Sequence, residues 1–248
     1  MSKSWLKIEG NNMSPHTKQL IINLGKQKNI SLESDLDNPL QRAIINTRNT
    51  IVFDLHGVIF RVSPILVIKS LLKCPQKRCF FKLILNLPFL YDFICTIFCK
   101  KVIEEWINLL SEKYSDFAKI KPTAIEIANA QKPVLNMEKI LKKLKEKRYT
   151  LVIFSNIGEE SMSILVKRYP DIFNLFEKII YSSKNDNYIA KPSPKAFQKL
   201  FHQVGHHNFI FVDDTTKNIE QAHKQNIHGI LFINSFTFEH TLKRFGIL

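Results

Sequence analysis

Carboxylate side chains follow two separate apolar runs of the sequence, and their oxygens suit a hard metal cation. Asp54 comes directly after the run IVF, and Asp213 and Asp214 come at the end of FIFVDD. If the two runs are neighbouring strands of one sheet, these carboxylates meet at a single edge. Mg²⁺ takes carboxylate oxygens in proteins and keeps positions for water and a phosphate oxygen. The pattern therefore predicts a magnesium site.

A second set of polar residues suits the oxygens of a phosphate group. Ser155 and Asn156 follow the apolar run LVIF, and Lys191 lies in a loop before a helix predicted from Pro194. A hydroxyl and a lysine can hydrogen-bond and neutralise phosphate oxygens. Taken singly, such residues are common in turns, in helix caps and on solvated surfaces. Their joint order along the chain, at strand ends and in an adjoining loop, predicts one shared crevice.

The elements that would position these residues alternate between short buried strands and amphipathic helices. Such alternation over about 100 residues predicts a parallel sheet covered by helices on both faces, in which ligands bind beyond the carboxyl ends of the strands. Asn136 and Ser193 are predicted N-caps, with Pro194 at the first helical position. Strands are predicted at 50–55, 149–155, 178–183, 208–214 and 228–233, and helices at 136–148, 158–169, 194–204 and 216–225.

Composition divides the chain into three regions. Residues 1–47 form a polar extension, with helices predicted near 14–25 and 38–46. Residues 48–60 and 130–248 carry the α/β pattern, and residues 61–129 are rich in Leu, Ile, Phe and Lys without a convincing strand. The predicted fold is therefore a doubly wound α/β core with a helical cap inserted after its first strand.

The cysteines and the most apolar stretch both fall in this inserted region. Four cysteines without a CxxC pair are predicted to be reduced and mostly buried, as in a cytoplasmic protein, and no secretory signal is recognised. Residues 79–99 are interrupted by charged and polar side chains and by Pro88, so two packed helices are favoured over a spanning one. Peripheral contact with an acidic bilayer is the alternative, with Lys82 and Lys100 nearby. The cysteines are Cys74, Cys79, Cys95 and Cys99.

The formal net charge of +14 favours anionic partners but does not choose among them. A small phosphorylated substrate fits the predicted crevice. Nucleic acid is not indicated, because the chain has no basic–aromatic motif of a known nucleic-acid-binding module.

Four motifs follow one another along the chain: FDLHGV (53–58), FSN (154–156), AKPSP (190–194) and VDDTTKN (212–218). Their order resembles that of the haloacid-dehalogenase (HAD)-like hydrolase superfamily, whose cap also follows the first motif. The resemblance implies that Asp54 attacks phosphorus and forms an aspartyl-phosphate. It further implies that Ser155, Asn156 and Lys191 bind the phosphoryl group. Mg²⁺ would be held by Asp54, Asp213 and the backbone carbonyl of His56, with Asp214 or Asn218 supporting it.

The chain departs from the superfamily at His56, where phosphatases of this type have the Asp that acts as general acid–base. Losing an acid–base costs about 10²–10⁴-fold in rate, but histidine, with an ordinary pKa of about 6.5, can itself serve in this role. Dehalogenases of the superfamily have an aromatic residue there and use no metal. We therefore expect a Mg²⁺-dependent phosphatase of a small phosphorylated metabolite. The alternative is a catalytically degenerate HAD-fold protein that binds without turnover.

Overall fold

A computed structural model of the protein describes residues 49–98, 102–205 and 208–248, and side chains in the same ranges apart from 96–98. The predicted N-terminal extension, with its helices near 14–25 and 38–46, lies outside the described residues. Cys99 and Lys100 lie outside them as well.

Seven strands are described. Five of them form a parallel sheet in the order β5-β4-β1-β6-β7, and β2 pairs with β3 in a separate antiparallel ribbon. The strands are β1 (Thr50–Phe53), β2 (Phe60–Val62), β3 (Gln131–Pro133), β4 (Thr150–Phe154), β5 (Lys178–Ile180), β6 (Phe209–Asp213) and β7 (His228–Leu231).

The helices fall into two groups, and the first five lie together between β2 and β3. We call these five helices the helical insertion: α1 (Pro64–Lys73), α2 (Lys77–Ile84), α3 (Leu87–Phe98), α4 (Ile103–Lys113) and α5 (Ser115–Ala128). The others are α6 (Met137–Glu146), α7 (Glu159–Arg168), α8 (Pro170–Phe173), α9 (Pro194–Val204), α10 (Thr216–Lys224) and α11 (Ser235–Arg244).

Alternate residues of each sheet strand face opposite layers of helices. In β1, Ile51 and Phe53 join a core cluster with residues of α6, α7 and α11, whereas Val52 joins a second cluster with residues of α9 and α10. Since both faces are covered, the central strands are nearly continuous apolar runs without a polar face. The predicted doubly wound parallel sheet is confirmed.

The helical insertion packs around a hydrophobic cluster of its own. Phe89 and Phe117 lie at its centre, with Ile107 and Leu110 of α4 beside them. α2 ends at Ile84 and α3 begins at Leu87. The break between the two helices therefore lies at residues 85–86, just before Pro88, near which it was predicted. Among the described helices, none has the length and hydrophobicity needed to span a bilayer. The division of the chain into core and cap domains stays a prediction.

Several local predictions need correction. The region 60–130 was expected to lack strands, but Phe60–Val62 pairs with Gln131–Pro133, and three residues are too few to show an alternating pattern. Asn136 precedes α6 in a left-handed conformation (φ 63°) and makes no side-chain capping bond, and Ser193 makes none either. Of the cysteines, Cys74 is buried, whereas Cys79 and Cys95 are only half-buried.

Candidate active site

The first site residue, Asp54, is placed by the end of β1. Its backbone N–H donates to Val212 O across 2.8 Å, which continues the pairing of β1 with β6 by one residue. The side chain is buried, and Oδ1 accepts from the backbone N–H of Leu55 at 2.6 Å. Lys191 Nζ lies 3.0 Å from the same oxygen. A buried carboxylate is thus fixed at the carboxyl edge of the central strand.

The turn after Asp54 depends on Gly57. Its φ of +81° lies in the left-handed region that L side chains rarely adopt. A Cβ at this position would also lie only 2.0 Å from Oδ2 of Asp214. The glycine therefore lets the turn close and lets the Asp214 carboxylate approach the backbone beside Asp54.

Lys191 is a buried cation between two carboxylates. Its Nζ lies 2.7 Å from Oδ2 of Asp213 and donates to Phe154 O, also at 2.7 Å. Burial lowers the pKa of Lys191, but the charges of Asp213 and Asp54 outweigh that effect, and the net shift is upward. The ammonium group therefore stays charged, as a group that neutralises an anion must.

Asn156 holds the backbone of Lys191. Its Oδ1 accepts from Lys191 N at 2.7 Å, and its Nδ2 donates to Lys191 O at 2.9 Å. The sequence predicted that this side chain binds phosphate. In the structure its amide hydrogen-bonds the loop that carries the lysine, so Asn156 positions that loop, and its phosphate-binding role stays a prediction.

Asp213 has its acceptor sites filled by the protein. Oδ1 accepts from Thr215 N and Asn218 Nδ2, both at 2.9 Å, and Oδ2 accepts from Lys191 and from Asn218 Nδ2 at 3.0 Å. The side chain has no solvent exposure. Burial raises the pKa of Asp213 and the charge of Asp54 raises it further, while Lys191 opposes both.

Asp214 differs from its neighbour because it is exposed. Partial burial, followed by the charges of Asp54 and Asp213, raises its pKa from 3.8 to about 6. Carboxylate oxygens of the three aspartates lie within 4.8 Å of one another, a spacing suited to a metal ion. Since the oxygens of Asp213 are already occupied, the geometry favours Asp54 and Asp214 as metal ligands. The sequence-based assignment gave Asp213 the ligand role and Asp214 the supporting one. The hydrogen bonds leave Asp214 with fewer protein partners than Asp213, and the division of roles between them stays a prediction.

Ser155 has an unpartnered hydroxyl at the end of β4. Its Oγ is buried and has no hydrogen-bond partner among the described residues, while its backbone N–H donates to Ile180 O at 3.0 Å. A buried polar atom without a partner costs free energy unless a ligand or water completes it. The hydroxyl therefore suits the anion-binding role that the sequence predicted.

His56 is half-buried, and its imidazole meets the first residue of β3. Its Nε2 lies 2.7 Å from Nε2 of Gln131, whose amide nitrogen also donates to Ala128 O at 3.2 Å. In this orientation the amide is the donor, so Nε2 of His56 is the acceptor and its proton is on Nδ1. Burial and the charge of Lys191 lower the pKa of His56 to about 4. The imidazole is therefore neutral at neutral pH.

Two residues near the site were not predicted from the sequence. Gln131 is a polar residue in a three-residue strand and carries no motif. Glu104 lies in α4 and accepts from the backbone N–H of Ser161 in α7 at 2.7 Å. The only signal in the sequence was the pair of acidic residues that begins α4, which a solvated helix start explains equally well.

Comparison with solved structures identifies chains with the same fold. An HAD family enzyme from Bacteroides thetaiotaomicron aligns with a TM-score of 0.56 at 19% identity, covering 78% of this chain and 97% of that one. YfnB from Bacillus subtilis, solved with bound magnesium, aligns with a TM-score of 0.55 at 15% identity, covering 79% of this chain and 99% of that one. The L-2-haloacid dehalogenase from Xanthobacter autotrophicus was solved with chloropropionic acid covalently bound. It aligns with a TM-score of 0.52 at 14% identity, covering 81% of this chain and 84% of that one.

Comparison with sequences gives one family. No curated protein matches the chain. A sequence model described as haloacid dehalogenase-like hydrolase matches residues 95–232, which include three of the four motifs but not the one that contains Asp54. The match spans more than half of the chain, and the chain therefore belongs to the haloacid dehalogenase-like hydrolase family.

Proposed function

We propose that the protein is a Mg²⁺-dependent phosphoric-ester hydrolase acting on a small phosphorylated substrate. The observation that supports this most directly is the cluster of Asp54, Asp213 and Asp214, with carboxylate oxygens within 4.8 Å of one another. Lys191 offsets one of the three negative charges. The two that remain match the charge of one divalent cation, and oxygen ligands match its chemistry.

The residues that would hold the metal are Asp54, Asp214 and, by the family resemblance, the backbone carbonyl of His56. When bound, the cation would neutralise charge on the phosphoryl oxygens. Asp213 acts indirectly, because it fixes the Lys191 ammonium group that binds the same oxygens. The Ser155 hydroxyl supplies a further hydrogen bond.

Asp54 is the nucleophile in this proposal. Its contacts with Leu55 and Lys191 both go to Oδ1, so we assign Oδ2 as the attacking oxygen. A bond forms from this oxygen to phosphorus as the ester oxygen leaves with its electron pair. Water then attacks phosphorus, the bond to Asp54 breaks, and inorganic phosphate leaves while the carboxylate is regenerated.

His56 can assist the second step of the reaction but not the first. With a pKa near 4, the imidazole carries no second proton at neutral pH, so it does not protonate the leaving oxygen. As a neutral base it can accept the proton of the attacking water. We therefore propose that the favoured substrates have leaving groups that are stable as anions, such as acyl or aryl phosphates.

The alternative, a degenerate binding protein, is supported by the contact of His56 with Gln131. The lone pair of Nε2 is the basic site of neutral imidazole, and here it accepts from the Gln131 amide. If that bond persists when substrate binds, His56 cannot act as a base. The crevice would then bind a phosphorylated ligand without hydrolysing it.

Turnover of 4-nitrophenyl phosphate by the purified 248-residue chain tests the proposal. We expect activity that requires Mg²⁺, is removed by a chelator, and is lost in Asp54→Asn. The matched control is Asp171→Asn, which makes the same change at an exposed position of α8. Absence of turnover, with Mg²⁺ and inorganic phosphate still bound in a calorimetric titration, would instead support the binding protein.

A further inference from the structure

The outer side of the first three helices of the insertion exposes large apolar side chains. Their exposed fractions run from 46% for Ile84 to 82% for Leu85. Single exposed apolar residues are common on soluble proteins, whereas groups of them on consecutive helices mark an interaction surface. We call the following nine residues the apolar surface: Ile65, Ile68, Leu72, Phe81, Ile84, Leu85, Leu87, Tyr91 and Ile94.

Helical spacing places these residues on one side of each helix. Ile65, Ile68 and Leu72 follow one another by three and then four residues in α1, and Leu87, Tyr91 and Ile94 by four and then three in α3. Such spacings keep side chains on one helix face. The apolar surface is therefore a property of these faces and not a scatter of single residues.

The packing of the insertion leaves these faces without a partner among the described residues. α1 and α2 pack on α5, and α3 packs on α2 and α4. The inward side chains, such as Cys74, Leu83 and Phe89, form the buried cluster. α1 has no fully buried residue although its sequence, PILVIKSLLK, is mostly apolar. Much of the apolar character of α1 is thus not used by the core.

Basic side chains border the apolar surface. Residues 64–98 contain five exposed Lys or Arg residues and a single acid, Asp92. Asp92 is paired with Lys113 at 2.5 Å and Tyr114 at 2.6 Å, so its charge is offset within the insertion. Asp116 of α5 also lies near Lys82, but it is paired with Lys119 at 3.3 Å, so the net charge along the border stays positive. The basic residues are Lys69, Lys73, Lys77, Arg78 and Lys82.

We infer that the apolar surface binds an anionic phospholipid bilayer, with α1–α3 lying in the plane of the membrane interface. Apolar faces bordered by Lys and Arg are the features by which helices bind such interfaces. The described helices are too short or too polar to span a membrane, which is consistent with helices that lie on its surface. This inference is independent of the proposed phosphatase activity.

Charge argues against two other occupants of the surface. A second copy of the chain would bring two positive surfaces together, which repel each other. Residues 1–48 of the same chain carry seven Lys or Arg and four Asp or Glu, so they are also net positive. An anionic lipid surface, by contrast, complements the bordering cations.

Co-sedimentation of the 248-residue chain with lipid vesicles tests the inference. Vesicles of phosphatidylcholine with about 30% phosphatidylserine are compared with phosphatidylcholine alone, at low and at about 0.5 M ionic strength. We expect binding to the mixed vesicles at least tenfold tighter than to the neutral ones and weakened by salt. Equal binding to both lipids, or no binding to either, would overturn the inference.

Two pairs of variants separate the surface from general effects. Phe81→Ser/Leu87→Ser should weaken vesicle binding at least tenfold, whereas Leu135→Ser/Phe236→Ser, at exposed positions elsewhere, should not. Lys77→Glu/Arg78→Glu should weaken vesicle binding at least tenfold, since each basic residue contributes about fivefold to the affinity for anionic lipid. The control with the same charge change is Lys139→Glu/Lys147→Glu. Equal losses in a surface variant and its control would contradict the inference.

Two further measurements identify another occupant. Sedimentation velocity without lipid shows whether a second copy covers the surface. A dimer that Phe81→Ser/Leu87→Ser dissociates would overturn the inference. Removal of residues 2–48 shows whether that segment covers it. Vesicle binding that appears only after the removal would overturn the inference for the full chain.

Discussion

Oε1 of Glu104 accepts a hydrogen bond from the backbone N–H of Ser161 across 2.7 Å, and this bond joins the helical insertion to the core. Ser161 is the third residue of α7, whose first N–H groups have no partner within the helix. The carboxylate of α4 thus serves as an N-cap for a helix that begins shortly after Ser155 and Asn156. Gly158 makes room for it, since a Cβ there would lie 2.1 Å from Oε2 of Glu104.

Replacing Glu104 by Ala should therefore destabilise the protein by about 1–2 kcal/mol, the typical value of a lost N-cap. The free energy of unfolding in urea measures this, and Glu112→Ala is the control because Glu112 is exposed on the same helix. Glu104→Gln keeps a hydrogen-bond acceptor, so its free energy of unfolding should fall less than that of Glu104→Ala. Equal stability of the Glu104→Ala and Glu112→Ala variants would show that the bond contributes nothing.

Gly57 and Gly205 allow the backbone of the first motif to be tested separately from its contacts. Both have positive φ, +81° and +79°, but only Gly57 lies against Asp214, and a Cβ at Gly205 would meet nothing within 4 Å. Alanine at either position should cost about 1–2 kcal/mol for the left-handed conformation. Gly57→Ala should cost a further 1–3 kcal/mol or so for the overlap. Chemical denaturation of the two variants measures the difference, and equal losses would contradict the contact.

The five strands of the parallel sheet were predictable from the sequence because helices cover both faces of that sheet. Val52 and its neighbours Ile51 and Phe53 point to opposite layers, so the strand is a continuous apolar run that composition alone reveals. β2 and β3 were missed because their pairing joins residues about 70 positions apart in the chain. α11 was not predicted, although Asn234 caps it through Thr237 N.

The residue types of the site were predictable, but some of their roles were not. Adjacent residues at a strand end point in different directions, and the sequence does not say which of Asp213 and Asp214 faces inward. The four hydrogen bonds on Asp213 come from Thr215, Asn218 and Lys191, and only the folded chain shows them. Gln131 was unpredictable for the same reason, since its contact with His56 spans 75 positions.

Asp214 should make both stability and metal binding depend on pH. Its folded pKa of about 6 exceeds its ordinary value of 3.8, so its ionisation destabilises the metal-free protein as pH rises between these values. Metal-free Asp214→Asn should therefore be more stable than the wild type at pH 7, and the difference should vanish below pH 3.8. Thermal denaturation across this range measures it.

Mg²⁺ should reverse the stability order of the wild type and Asp214→Asn at pH 7. A metal that binds the folded state stabilises it, and Asp214 must be deprotonated to serve as a ligand. We expect Mg²⁺ to raise the Tm of the wild type at pH 7, to do so much less at pH 5, and to leave Asp214→Asn nearly unchanged. Asp171→Asn is again the control. A Tm increase of the same size in Asp214→Asn would exclude Asp214 as a ligand.

His56 provides the test that separates the enzyme from the binding protein. As the base of the second step, its replacement by Ala should lower turnover of 4-nitrophenyl phosphate by about 10²–10⁴-fold. His240→Ala, at an exposed position, should have no effect. His56→Asp should retain this activity and extend it to alkyl phosphates, because a carboxylic acid can protonate the leaving oxygen that neutral imidazole cannot. Mg²⁺ affinity should change little in either variant, since only the backbone carbonyl of residue 56 is assigned to the metal. A wild-type protein inert toward every ester, but active as His56→Asp, would show that the fold assignment holds while the natural protein binds without turnover.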